Sequence, residues 1–224
     1  MRVNSSSFNP PPERINFERS LRRLERDVLR MGALVEQSFR LSHQSLFNRD
    51  LAAAETIPLI DKQIDQLYRQ IELDCAALIT LQAPVAQDVR LLSAYMQLVR
   101  DLERIGDYAK DLGEISVKLF PYPPHDYLAE IAAMSHQAQA MLAMSLAALA
   151  DLDAEAGIRV KQQDDVVDIA YETFYQRLAG QRDIKGVVEP ILLLVLVLRH
   201  LERMADHATN IGQRVAYIVT GHRS

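Results

Sequence analysis

The chain has 224 residues, enough for one large domain or two small ones, and its 49% apolar and 25% charged content is that of a globular protein with a sizeable core. Thirty acids against 25 bases leave a net charge of −5, which argues against a dedicated nucleic-acid binder, and the absence of Trp removes the material for base-stacking platforms. Eight Gly and nine Pro are too few for a barrel or sandwich, and the single Cys75 excludes an intramolecular disulfide or a cysteine zinc site.

Residues 1–14 read as a disordered arm, rich in Ser, Asn and Pro up to Pro12 and without the apolar stretch of a secretory signal. From Phe17, apolar residues at Leu21, Leu24, Val28, Met31, Val35, Phe39 and Leu46 follow the helical period. Asn48-Arg49-Asp50 stops this stripe, and an Ala-rich turn with Pro58 leads into a second one from Leu59 to Leu78. Pro84 breaks that helix, because the residue before a proline is pushed out of the α region. A third stripe runs from Val85 to Leu119.

Phe120-Pro-Tyr-Pro-Pro-His-Asp126 cannot be helical and marks a boundary. The same order then recurs: a helix to about Ala150, one from about Ile158 to Ala179, and a last one from about Val187 with Gly221 as its C-cap. The longest apolar run, Ile191 to Leu198, is far short of the roughly 20 residues a bilayer span needs. It suits a buried helix or a dimer seam. The fold expected is all-α, with two tandem pseudo-symmetric three-helix bundles over 15–119 and 127–221, a linker at 120–126 and a tail at 222–224.

The repeat is visible residue by residue. Arg100-Asp-Leu-Glu-Arg-Ile-Gly-Asp-Tyr-Ala-Lys-Asp-Leu-Gly113 aligns with Arg199-His-Leu-Glu-Arg-Met-Ala-Asp-His-Ala-Thr-Asn-Ile-Gly212 at a constant offset of 99. Earlier in each unit, Asp61-x-x-x-Asp65 and Tyr68 match Asp164-x-x-x-Asp168 and Tyr171 at an offset of 103. Leu102, Ile105, Ala109 and Leu112 make one apolar stripe, with Glu103, Asp107 and Asp111 on roughly the opposite side. Acids four apart sit one turn above each other and repel unless something neutralises them. Arg100 and Arg104, three residues before Glu103 and Asp107, could do so locally; a cation is the other answer. Retention of the pattern in both units favours function.

Such carboxylates are hard oxygen ligands, suited to Mg²⁺, Mn²⁺, Ca²⁺ or iron. No Glu has a His three residues later, which disfavours a redox di-iron enzyme. His200 and His207 flank the second motif and read as surface or capping residues. Cys75, Met134, Met141 and Met144 read as core. Phosphotransfer through His43 or His136 is disfavoured, since no lysine–glycine pair follows either. Arg19, Arg22, Arg23 and Arg26 crowd the first helix, either as a solvated face or as a docking surface for an acidic partner or anionic membrane.

Leu102-Glu-Arg-Ile-Gly-Asp107 and His200-Leu-Glu-Arg-Met-Ala-Asp-His-Ala-Thr-Asn-Ile-Gly212 resemble the paired signature of the PhoU family of bacterial phosphate-signalling regulators. Leu81-Gln-Ala-Pro-Val-Ala-Gln-Asp-Val-Arg90 is similar to the segment opening that family's third helix, and Val219-Thr-Gly221 to its usual end. The resemblance covers residues 15–221. It implies a cytoplasmic, non-enzymatic, homodimeric protein that restrains phosphate uptake and the phosphate-starvation response. The partners it implies are the ATPase subunit of the phosphate ABC transporter and the phosphate-sensing histidine kinase, with any membrane contact made through them and no nucleic acid involved. It also implies a divalent or multinuclear metal (iron, magnesium, manganese or zinc). Carried over by position, the ligands would be Asp61, Asp65, Glu103, Asp107 and Asp111 in the first unit and Asp164, Asp168, Glu202, Asp206 and Asn210 in the second. Tyr108 and Asp111 depart from the His and Asn common in the family. A carboxylate metalloenzyme and a helical scaffold with solubilising charges are the alternatives.

Overall fold

The computed structural model describes residues 12–81, 84–182 and 186–222. Six helices account for nearly all of them: α1 Pro12–Phe47, α2 Leu51–Leu81, α3 Ala86–Leu119, α4 Leu128–Asp151, α5 Ala154–Ala179 and α6 Glu189–Thr220. There is no strand among the described residues, and no described helix is long and apolar enough to cross a membrane. Helices α1, α2 and α3 pack on one another, as do α4, α5 and α6. The two bundles then join through α3 against α6 and α1 against α4.

The repeated stripes explain this packing. Leu102, Ile105, Ala109 and Leu112 of α3 are buried, as are their counterparts Leu201, Met204, Ala208 and Ile211 of α6. Each large apolar side chain removed from water in this way contributes about 1.5–3 kcal/mol. Gly212 and Gly157 let α6 and α5 cross at backbone contact, since a methyl group at either would run into the other's carbonyl. At the equivalent crossing of α3 and α2, a methyl on Gly113 would lie 2.9 Å from Ile57 Cδ1, a side-chain tip.

The helix ends differ from the sequence expectations in physically clear ways. Helix α1 already begins at Pro12, where proline's fixed φ suits a first turn, so residues 12–14 are helical and the rest of the expected arm lies outside the described residues. Helix α2 begins at Leu51 and contains Pro58. The preceding Ala52-Ala53-Ala54 run favours helix strongly, and Asp50 Oδ1 accepts from the Ala53 N–H at 3.2 Å, so the turn placed there becomes the helix start. Helix α5 starts earlier than Ile158 because Asp153 caps it, its side chain accepting from the Ala156 N–H. Gly221 ends α6 at φ +79°, its N–H bonding the Tyr217 carbonyl. Met134, Met141 and Cys75 are core, but Met144 is exposed. In the Ile191–Leu198 run, Leu193, Leu194, Val197 and Leu198 are buried while Leu192 and Leu196 face outward.

Candidate functional site

Each bundle brings the acids of its second and third helices together. In the first bundle, α2 supplies Asp61 and Asp65, and α3 supplies Glu103 and Asp107. Burial pushes the Glu103 and Asp107 carboxyls above the usual range. The Asp107 charge is the next cause at Glu103 and Asp61 the next at Asp107, with Asp65 adding to both. Arg104 offsets part of this, 3.6 Å from Asp107 and 3.8 Å from Glu103.

The ammonium of Lys110, on α3, enters this cluster and donates to Asp61 Oδ2 at 2.8 Å. The hydrogen bond to Asp61 holds Lys110 above its ordinary pKa, and the Asp107 and Asp65 charges add to it. Asp61 is buried, so Lys110 neutralises the least solvated acid of the group. Asp111 stands apart: its carboxylate lies 4.0 Å from His200 Nε2, on the α3–α6 seam.

In the second bundle, α5 supplies Asp164 and Asp168, and α6 supplies Glu202 and Asp206. Oxygens of Asp164, Asp168 and Asp206 all lie within 4.8 Å of one another, the one such group of three among the described residues. Burial raises Asp168, Glu202 and Asp206, and the nearest like charges add to it: Asp164 at Asp168 and Asp206, and Asp206 at Glu202. Arg199 donates to both Glu202 oxygens at 2.9 and 3.0 Å, and Arg203 lies 3.4 Å from Asp206. Lys161 donates to Asp164 Oδ2 at 2.8 Å from one turn away on the same helix. Asp164 Oδ1 and Thr209 Oγ1 are buried with no hydrogen-bond partner. Asn210 is half-buried on α6, four residues beyond Asp206.

The seam between the clusters holds residues that sequence reasoning placed elsewhere. His207 Nδ1 lies 2.9 Å from Asp101 Oδ1, and Arg214 Nε donates to Asp101 Oδ2 at 2.8 Å. His207 is therefore a bridge between the bundles rather than a cap. His200 is largely buried, its ring centroid 5.3 Å from that of Tyr108, and burial lowers its pKa. Lys110 was also missed, although it breaks the repeat alignment opposite Thr209 and so left a trace in the sequence.

Arg19, Arg22, Arg23 and Arg26 of α1 are exposed. Arg23 pairs with Asp74 at 2.9 Å, whereas Arg19, Arg22 and Arg26 form no ion pair among the described residues.

The oxygen-only donor set, its convergence in the second bundle and the unpartnered Asp164 Oδ1 together fit a hard cation. The first bundle fits one less well: among the described residues no three of its acids converge so closely, and Lys110 reaches Asp61 from the facing helix.

Comparison with known proteins agrees with the repeat. The model of the PhoU domain family matches residues 28–116 and again 131–215. The chain is 68% identical over 212 residues, 95% of each chain, to the phosphate-specific transport system accessory protein PhoU homolog of Synechocystis sp.. It is 33% identical to the protein of the same description from Pseudomonas aeruginosa, over 92% of this chain and 86% of that one. The crystal structure of PhoU from Pseudomonas aeruginosa superposes with a TM-score of 0.88 at 32% identity, covering 92% of this chain and all (100%) of the other. That of the phosphate transport system regulatory protein PhoU from Streptococcus pneumoniae gives 0.84 at 28%, covering 93% and 99%. With two copies of the domain spanning most of its length, the chain belongs to the PhoU family.

Proposed function

We propose that the protein is a non-enzymatic regulator that restrains phosphate uptake and the phosphate-starvation response while phosphate is plentiful. The observation that carries this reading is the 68% identity, over 95% of both chains, to a relative described as a phosphate-specific transport system accessory protein. On this reading it works in the cytoplasm as a homodimeric adaptor between the phosphate ABC transporter's ATPase subunit and the phosphate-sensing histidine kinase. Arg19, Arg22 and Arg26, which form no ion pair among the described residues, support an acidic docking partner, because exposed guanidinium groups on one stretch of helix steer and orient such surfaces. Leu192 and Leu196, exposed one turn apart on α6, offer an apolar face for self-association.

We further propose that the second acidic cluster holds a divalent cation through Asp164, Asp168 and Asp206, with Glu202 and Asn210 beside them. A bound cation would supply charge neutralisation and a cross-link between α5 and α6. The protein's own part is to hold the carboxylates together against their repulsion, which the Gly157–Gly212 crossing and the Arg199 and Arg203 ion pairs accomplish.

The test is alkaline phosphatase output in a phosphate-replete strain lacking this chain. Derepression reversed by the intact gene is expected. Unchanged output in a strain with no second copy of the family would refute the regulatory reading.

A further inference from the structure

We infer that the two bundles neutralise their acidic clusters with different cations: the first with its own Lys110 ammonium, the second with a divalent metal ion, so that the chain carries one metal site rather than two. This rests on the metal reading above and adds which half is occupied and why.

The repeat supplies the comparison. Lys110 on α3 and Thr209 on α6 are the same position at the offset of 99, and Asp61 and Asp164 the same position at the offset of 103. In the first half these two positions are bonded, Lys110 Nζ to Asp61 Oδ2 at 2.8 Å. The four-carbon stem of lysine carries the charge from α3 across to α2, and its three donors face an acceptor-only carboxylate. Threonine has no such reach and no charge. In the second half the same two residues are each 3% exposed, and Thr209 Oγ1 and Asp164 Oδ1 have no partner. A buried oxygen left unsatisfied is costly, and a hard cation takes carboxylate oxygens such as Asp164 Oδ1 as ligands.

The clustering follows the same division. Among the described residues three carboxylates converge within 4.8 Å in the second half alone. Lys161 does not replace Lys110 there. It reaches Asp164 along α5 itself, from a side chain 57% exposed, and engages Oδ2 while Oδ1 stays unpartnered. Lys110 is 39% exposed but reaches Asp61 from the opposite acid-bearing helix, so its ammonium cross-links α3 to α2 in the way a metal would, whereas Lys161 joins two positions of α5 only and leaves α5 and α6 without such a link.

Equilibrium dialysis of the full chain against Mn²⁺ tests the division, with circular dichroism confirming that each variant is helical. The wild type is expected to bind saturably, Asp206→Asn to lose that binding, and Asp61→Asn to keep it unchanged. Lys110→Thr is expected to double the Mn²⁺ held at saturation, and Thr209→Lys to weaken binding at least tenfold by installing the first half's arrangement in the second. If Asp61→Asn removes about half of the wild-type binding, the first half also takes metal, and the division is overturned while the metal reading stands. If none of the five proteins binds Mn²⁺ saturably, the metal reading fails and the division with it.

Discussion

His207 Nδ1 lies 2.9 Å from Asp101 Oδ1, and this contact joins the two halves of the molecule at the level of their acidic clusters. Asp101 is buried on α3, and its second oxygen accepts from Arg214 Nε, so one carboxylate of the first bundle holds two residues of the second. His207 directly follows Asp206 in the chain. A shift of α6 at the second cluster therefore displaces a residue bonded to the first bundle, which gives the clusters a short mechanical connection.

Asp101→Asn keeps the shape of the side chain and removes its charge. It is expected to lower stability by about 2 kcal/mol, the loss typical of hydrogen bonds to charged groups. Urea unfolding monitored by circular dichroism checks this. A loss below about 0.5 kcal/mol would place the contact among weak surface pairs.

The helix crossings predict an asymmetry between equivalent glycines. Gly212→Ala forces a methyl into the Gly157 carbonyl, and since neither backbone can yield without separating α5 from α6, a loss of about 3 kcal/mol is expected. Gly113→Ala meets the Ile57 Cδ1 tip at 2.9 Å, which can rotate away. The gain in helix propensity, about 1 kcal/mol, offsets that adjustment, so this variant should stay within about 1 kcal/mol of wild type. Paired denaturation curves would decide, and equal losses at both positions would contradict the crossing geometry.

Glycine pairs of this kind also show how far the sequence could be read. The six helices were legible because each has an apolar stripe at the helical period, and the duplication was legible because seven of fourteen positions coincide between 100–113 and 199–212. The acids expected as ligands do gather in two clusters across α2–α3 and α5–α6. Asp111 is the exception, because at eight residues beyond Glu103 the helical drift carries it round to His200. Lys110 was invisible as a partner because its contact with Asp61 spans 49 residues and depends on how α3 meets α2. His207 was misread for the same reason, its partner lying 106 residues away. Local pattern reports faces; long-range pairing needs the packed helices.

Stability is expected to fall in mild acid through His43. Burial pushes its imidazole down to about 4 from an ordinary 6.5, with the charge of His136, centroid 4.2 Å away, as a second cause. The unfolded chain therefore takes up this proton first. The contribution is complete above pH 6.5 and is lost as pH falls toward 4. Thermal unfolding across that window should show the decline, and His43→Phe, which keeps a ring beside Phe47, should flatten it. An unchanged slope in the variant would assign the decline to other groups.

In the metal-free protein the second cluster works against stability. Burial and the Asp164 charge hold the Asp206 carboxyl above its usual range, so the ionised form is disfavoured by folding at neutral pH. Asp206→Asn should stabilise the metal-free chain by about 0.5 kcal/mol, a modest gain because solvent screens a side chain this open. Mn²⁺ should raise the melting temperature of the wild type and not of the variant. A variant less stable than wild type without metal would show that Asp206 serves packing rather than a cation.

The most direct test of the regulatory account is the rate of radiolabelled phosphate uptake in phosphate-replete cells lacking this chain, complemented with the intact gene or with Asp164→Asn, Asp168→Asn and Asp206→Asn combined. The account predicts raised uptake in the deletion, return to the low rate with the intact chain, and failure of the triple variant to restore it although it accumulates to the same level. Uptake that stays low in the deletion would contradict a restraining role, and full restoration by the triple variant would separate that role from the acidic cluster.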